Sequence, residues 1–391
     1  MRLEPKDVTL KGEWTLNISW NDHQRELRAR YAQIGTSLTE RASGTARDDN
    51  FDLQGWKVLG NEGLWRLPVA DQYGGLDGTW WDFAAGLEGL ASTVGDLGFL
   101  LSIIAHVGCI RALIEYGNES QKARFLPDLL ESGIGATAIT EEGGGSDVAR
   151  IRTSASQVEW GYRLMGAKAH ITNAPITTTF ILVGRIPRLG EHDITLFLLS
   201  RNMPGINFGE QEQMFGNGSS PTGEIILNDV DIDEAHILGH KGDGLQMLYN
   251  IISLDRMLYG LIAQPFIEPY LNEALSFIHQ RHAFKRALAE HQYVQQKIVD
   301  IKTASDIARY ISYVALAKLI ENDPEASALC SMAKLLGTEG MVMASMHLMQ
   351  LFGHSGYMEG RITKLMRDVM GTRIAGGTSD IQRINIFNRI Q

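Results

Sequence analysis

The sequence predicts an α+β chain with segregated layers: a helical block, a strand-rich block and a second helical block. Three observations carry this. Up to about residue 130, apolar residues recur at i, i+3 and i+4. From about 135 to 240 the runs are short and β-branched, broken by Gly, Pro, Asn and Asp. Beyond Gly244 the helical spacing returns in long stretches.

In the first block the helical segments are DHQRELRARYAQIGTSLTER, WWDFAAGLEGLASTV and the 97–117 stretch, with Pro68, Gly74, Gly75, Gly78 and Gly95 between them. SQKARFLPDLLESG reads as a short helix broken by its proline. In the second block TFILVGRI, ITLFLLS and GEIILNDVDI read as strands. The third block predicts helices over 245–282, 290–320, 325–350 and 379–390. Pro265, with Pro269 behind it, predicts a kink near Leu261. Met341, Met343, Met346 and Met349 read as core packing.

Composition excludes several functional classes. Of 391 residues 44% are hydrophobic and 21% charged, enough for a large core. A net charge of −10 argues against a nucleic-acid partner, which needs clustered Lys and Arg. The two cysteines, Cys109 and Cys330, form no motif, which suits a reducing cytoplasm. The opening MRLEPKDVTLKGEW is charged throughout and predicts no secretory signal. LGFLLSIIAHVGCIRALI is interrupted by His106 and Arg111, so a buried helix is expected there and not a membrane span. His279, His282 and His291 have no carboxylate or Cys at metal-ligand spacing, and no metal is expected.

AITEEGGGSDVA (138–149), GYRLMGAKAHITNAP (161–175), MQLFGHSGYMEG (349–360), KLMRDV (364–369) and RIAGGTSDIQR (373–383) occur in this order, with smaller echoes at VADQYGG, SQKARFLPDLLESG, RHAFKRALAEHQ and DVDIDEAHILGHKGDG. Together they resemble the acyl-CoA dehydrogenase family from about residue 60 onward. The resemblance implies an N-terminal helical domain (1–134), a middle β-barrel-like domain (135–241) and a C-terminal four-helix bundle (242–391). It also implies FAD held between domains and across a subunit contact in a homotetramer or dimer.

The same resemblance assigns cofactor contacts. Ile139, Thr140, Gly145 and Ser146 match the loop beside the flavin, and Ser146 also lies near the bound acyl group. Thr172 matches the flavin N5 edge. His170 stands where the family carries Trp or Phe, either as a polar neighbour of the flavin or, as preferred here, packed on its ring without a proton-transfer role. Arg281, Phe284 and Gln292 match contacts to the ADP half in a neighbouring subunit, where a planar guanidinium suits pyrophosphate. Lys285 replaces a family glycine, which puts that turn in question. Gln350, Gly353, Thr378 and Asp380 match further contacts. The family proline after Thr140-Glu141 is replaced by Glu142.

The chemistry implied is oxidation of an acyl thioester. A carboxylate takes the α-proton, the β-hydrogen leaves as hydride to flavin N5, and a ribityl hydroxyl and a backbone N–H polarise the carbonyl. Most members keep their base in Y-E-G-T-S. Here Gly376 occupies the glutamate position and can offer only its N–H, with Gly377 beside the substrate. Isovaleryl-CoA dehydrogenase also carries a small residue there and supplies its glutamate from the helix after the β domain, immediately before an arginine. The matching pair is Asp255-Arg256 in NIISLDRMLYG, with Arg256 on the substrate side.

Asp255 is therefore the expected base, with apolar neighbours that raise its pKa and a reach roughly 1.5 Å shorter than glutamate's. The alternative is a structural carboxylate paired with an arginine. Three functions stay open: dehydrogenation of a short or branched acyl-CoA with an electron-transfer flavoprotein as acceptor; the same chemistry on an acyl or aminoacyl group borne by a carrier protein, with O2 a further acceptor; and a flavin-binding relative without dehydrogenase activity.

Overall fold

The computed structural model describes residues 19–42, 50–187, 189–190 and 192–390. The opening segment read for a secretory signal lies outside them. Five helices come first: α1 (Asp22–Ala42), α2 (Leu53–Asn61), α3 (Trp80–Ala91), α4 (Leu97–Tyr116) and α5 (Glu119–Glu131). Their starts are written locally. Asp52 Oδ1 accepts from Gly55 N at 2.8 Å, and Thr79 with Asp82 and Asn118 with Gln121 form reciprocal capping boxes. Pro127 does not break α5, because the buried Phe125, Leu126, Leu129 and Leu130 hold the turn together despite the lost backbone bond. α4 is long and apolar enough to cross a membrane, yet it is packed inside the protein.

The middle block is β1 (Gly135–Ala138), β2 (Ser154–Val158), β3 (Gly161–Thr172), β4 (Thr179–Arg185), β5 (Ile194–Ser200), β6 (Ile206–Phe208), β7 (Thr222–Ile232) and β8 (Ile237–Leu238). They form one sheet in the order β6-β7-β3-β2-β4-β5-β8, with β1 parallel to β4. Phe180, Leu182, Phe197, Leu199, Ile225 and Leu227 fill its own core. β3, the longest strand, was read from the sequence only as a motif. Gly166 and Lys168 disturb its alternation, and its register with β7 slips between Lys168 and Ile171.

The last block opens with α6 (Gly244–Gln280), a single helix that runs unbroken through Pro265 and Pro269 among buried Leu261, Ile262, Phe266 and Ile267. A hairpin of β9 (His282–Ala283) and β10 (Arg286–Ala287) follows. Its turn residues Phe284 and Lys285 both have positive φ, +53° and +67°, the pairing a two-residue hairpin turn requires. Lys285 thus adopts the conformation a glycine would take, and the turn survives the replacement. Then come α7 (Gln292–Ile320), α8 (Ala326–Phe352), α9 (His354–Tyr357), α10 (Arg361–Thr372) and α11 (Ser379–Phe387). The sequence reading had no helix over 361–372. A Cβ on Gly337 of α8 would lie 2.8 Å from Gly260 Cα of α6, so these two helices touch backbone to backbone. Of the methionine series, Met341 is in the core but Met346 is exposed, which corrects the expectation for that position.

One buried charge network ties the first block to the last. Glu88 on α3 is fully buried and accepts from Arg28 Nε on α1 at 2.6 Å and from Arg309 Nη2 on α7 at 2.5 Å, while Tyr313 and Trp20 also donate to it. Replacing Glu88 by Gln removes the anion between two guanidinium groups. The expected loss is about 3 kcal/mol in unfolding free energy by urea titration; a loss below about 1 kcal/mol would mean that the network behaves as a surface pair.

Candidate active site

α6 is laid against α4 on one side and α7 and α8 on the other, and Asp255 sits in its first half on the α4 side. A Cβ on Gly108 of α4 would come within 2.8 Å of Asp255 Oδ1 and 3.0 Å of Oδ2. Asp255 Oδ1 is buried without a hydrogen-bond partner. Among the described residues no cation lies at ion-pair distance from this carboxylate, so it is not a structural half of an arginine pair. The side chain is nonetheless only partly covered, so a path to solvent remains. Burial raises its pKa to about 7, while the more distant charges of Arg111 and then Arg256 pull it down.

One turn further along α6, Tyr259 lies against the loop between α10 and α11. A Cβ on Gly376 would be 3.0 Å from Tyr259 Cε2, and Gly376 and Gly377 have φ of +66° and +90°. Both positions therefore favour glycine, and a glutamate at 376 would be strained as well as crowded. The loop is held from below. Lys334 Nζ on α8 donates to Gly377 O at 2.5 Å, and Gln382 Nε2 donates to the same oxygen at 2.8 Å and to Gly376 O at 3.3 Å. Lys334 is fully buried, and desolvation followed by the charge of Arg256 lowers its pKa to about 7 against the opposing pull of Glu339.

Arg256 Nη2 would be 3.8 Å from a Cβ on Gly377, and its Nε is buried without a partner. Arg111 on α4 donates to Asn250 Oδ1 at 2.8 Å and leaves its own Nε unpaired. Three cationic side chains from three helices, Arg111, Arg256 and Lys334, thus converge around Asp255, Tyr259 and the glycine loop. Sequence reading found Asp255, Arg256, Gly376 and Gly377 but missed Lys334 and the role of Arg111. Their signal was a single charge inside an apolar helix, in ASALCSMAKLLG and in VGCIRALI.

Residues expected around a cofactor form two separate sets. On the β side, Ala169 N donates to Thr140 O at 2.9 Å, Thr140 Cγ2 would touch a Cβ on Gly145 at 3.3 Å, and Lys168 Nζ donates to Ile139 O at 2.9 Å. This brings Ile139, Thr140, Gly145 and the His170–Thr172 end of β3 together, with Ser146 next in the loop. Among the described residues His170 makes no aromatic ring contact. It has φ +57°, its side chain is exposed, and its Nδ1 is 2.9 Å from Glu212 Oε2.

The other set gathers at the far end of the bundle. The Phe277–Phe352 ring contact joins the C-termini of α6 and α8, which brings Arg281, Phe284 and Gln292 to the same end as Gln350 and Gly353. That end lies about 40 Å along α6 from Asp255, counted at 1.5 Å per residue. Thr378 and Asp380 sit apart from both sets, beside the glycine loop. Thr378 caps α11 by accepting from Ile381 N at 3.3 Å, and Asp380 pairs with Arg383 at 3.0 Å.

Comparison with known proteins decides the family. The model of the acyl-CoA dehydrogenase N-terminal domain matches residues 21–133, that of the middle domain 136–230 and that of the C-terminal domain 242–391. The chain belongs to the acyl-CoA dehydrogenase family. It is similar to an acyl-CoA dehydrogenase of Bacillus subtilis (strain 168), 32% identical over 345 residues, 87% of this chain and 90% of that one. It is 28% identical to the mitochondrial isovaleryl-CoA dehydrogenase of Solanum tuberosum over 380 residues, 95% of this chain and 92% of that one. Among solved structures it resembles the prolyl acyl carrier protein oxidase AnaB, with 26% identity and a TM-score of 0.89 over 95% of this chain and 100% of that one.

Acyl-CoA dehydrogenases are oxidoreductases that act on CH–CH groups with FAD, and this chain is one of them. Its residues fit the cofactor. Around Gly143 and Gly144 an added Cβ would meet nothing within 4 Å, which leaves an open glycine cradle beside Thr140, and the buried Thr137 Oγ1 on β1 lacks a partner. Gly353, at φ +60°, is equally open.

The buried carboxylate has a consequence for stability. The folded pKa of Asp255, about 7, lies above the ordinary carboxylate value of 3.8. Between the two, the unfolded chain gives up its proton first. Stability from this group is therefore full below about 4 and is lost as pH rises to about 7. Asp255→Asn is expected to unfold at a higher temperature than wild type above pH 7, by roughly 2–4 kcal/mol of stability, and to match it near pH 4. Equal melting curves at both pH values would contradict the buried charge.

Proposed function

We propose that this acyl-CoA dehydrogenase oxidises a short or branched acyl thioester, with Asp255 as the base that removes the α-proton. The observation that carries this is the carboxylate of Asp255, with Oδ1 buried and without a partner, one helical turn from the tyrosine that touches Gly376. A base with its pKa near 7 combines ionisation with driving force for proton transfer at neutral pH. Arg111 and Arg256 keep the ionised form within reach. Lys334 and Gln382 tie down the carbonyl of Gly377, which fixes the loop so that the Gly376 N–H can donate to the thioester oxygen. FAD, when bound, takes the β-hydrogen as hydride.

Ile139, Thr140, Gly145, Ser146, His170 and Thr172 would hold the flavin half, with Thr378 and Asp380 beside it. Arg281, Phe284, Gln292, Gln350 and Gly353 would hold the ADP half of a cofactor seated in a second copy. The distance along α6 supports that division, because one chain cannot bring both ends to one dinucleotide. A homo-oligomer, tetramer or dimer, is thus part of the reading. An electron-transfer flavoprotein or O2 would reoxidise the enzyme, and the two buried, unpaired cysteines suit the cytoplasm.

A second reading keeps the residues and changes the carrier. The likeness to a prolyl acyl carrier protein oxidase over 95% of the chain supports an acyl or aminoacyl group on a carrier protein. A panel of isovaleryl-CoA, butyryl-CoA and prolyl-carrier protein separates the two, read as bleaching of the bound flavin without oxygen. With the best substrate, Asp255→Asn is expected to slow bleaching roughly 10²–10⁴-fold, and the wild-type rate should climb with pH and level off through about 7. Unchanged bleaching in the variant would remove Asp255 from the chemistry.

A further inference from the structure

The middle of α4 contains a glycine that its backbone does not require. Gly108 lies inside a twenty-residue helix, between buried Val107 and Cys109, and its φ is not in the left-handed region. Glycine inside a helix loses more conformational entropy on folding than alanine and offers no side chain to pack. Gly98 in the same helix has a steric reason, since a Cβ there would meet Asn217 Cα at 3.1 Å and its carbonyl carbon at 3.2 Å. At Gly108 the three nearest atoms all belong to one side chain: Asp255 Oδ1 at 2.8 Å, Oδ2 at 3.0 Å and Cγ at 3.3 Å. The space that the missing Cβ leaves is filled by the carboxylate.

We infer that Gly108 is a positioning residue for Asp255, acting as a bare notch on α4 that seats the carboxylate; this rests on the proposed role of Asp255 as base. The Asp255 carboxylate crosses from α6 to the surface of α4 and lies where a Cβ on that helix would stand, so it needs a place where α4 has none. Gly108 supplies that place. The titratable groups whose charges couple to the seated carboxylate are Cys109 and Arg111 on α4 and Arg256 and Tyr259 on α6, with Cys109 itself turned against Gly135 of β1. None of them donates a hydrogen bond to Oδ1. Steric fit therefore holds the carboxylate, and no hydrogen bond to that oxygen has to break when the side chain turns toward an acyl group.

Gly108→Ala tests this, because its new methyl group meets only the end of a side chain that can rotate. Two readouts are combined. In the FAD-loaded enzyme the flavin bleaching rate at saturating thioester is expected to change at least tenfold, while thioester affinity, from the concentration dependence of bleaching, moves less than about twofold. In melting curves the same substitution is expected to lower the midpoint of wild type and to raise that of Asp255→Ala, where the methyl group fills vacated space and alanine favours the helix.

An additive cycle with unchanged bleaching would overturn the notch and leave Asp255 as base intact. A non-additive cycle, in a protein where Asp255→Asn still bleaches, would keep the notch as a packing feature, remove its catalytic purpose, and overturn the inference together with the proposed base. If Gly108→Ala alone fails to fold but folds together with Asp255→Ala, the notch is supported. If both fail, Gly108 serves something other than the carboxylate.

Discussion

A carboxylate pressed between two helices with no donor on one of its oxygens is costly in its charged form, and much of this structure answers that cost. Removing such a group from water favours its neutral state, and the raised pKa of Asp255 is the direct result. Had the group been structural, an arginine at contact distance would have neutralised it, as Arg28 and Arg309 do for Glu88. Arg111 and Arg256 instead stay beyond ion-pair distance. They moderate the pKa without capturing the proton acceptor, a compromise that suits a group whose work is to take a proton and release it.

The surroundings obey the same logic. Three helices contribute Arg111, Arg256 and Lys334, all buried, in a chain whose overall charge is −10. Two of these cations leave an Nε unpaired. Lys334 spends its amine on the carbonyl of Gly377, which turns a flexible two-glycine loop into a fixed one. With both glycines in the left-handed region and Tyr259 against Gly376, a glutamate in that loop would be strained and crowded. The absence of the common base from the loop and the presence of a carboxylate on α6 are thus two sides of one packing arrangement.

The order of helices and sheet was legible because periodicity reports which face is buried, and the ordered motifs made the family resemblance specific. What was misread has local causes. Pro127 was given more power to interrupt than it has when neighbouring turns are deeply buried. β3 was hidden by Gly166 and Lys168, the latter drawn inward by Glu141 at 2.9 Å. His170 at the end of β3 has φ +57° beside a register shift between Lys168 and Ile171 and pairs with Glu212, a contact that no pattern of alternation could foretell. Asp255 and the glycine loop could be found from motif spacing. Gly108 and Lys334 could not, since their meaning comes from what faces them across a helix contact, and one strand of sequence does not contain that partner.

The central claim is that the Asp255 carboxylate meets the carbon next to the thioester. A crystal structure of the FAD-loaded enzyme with an unreactive thioether analogue of its best substrate measures this directly. An Asp255 oxygen within about 3.5 Å of that carbon is the expected result. Another carboxylate in that position, with Asp255 still lodged against α4, would contradict the account.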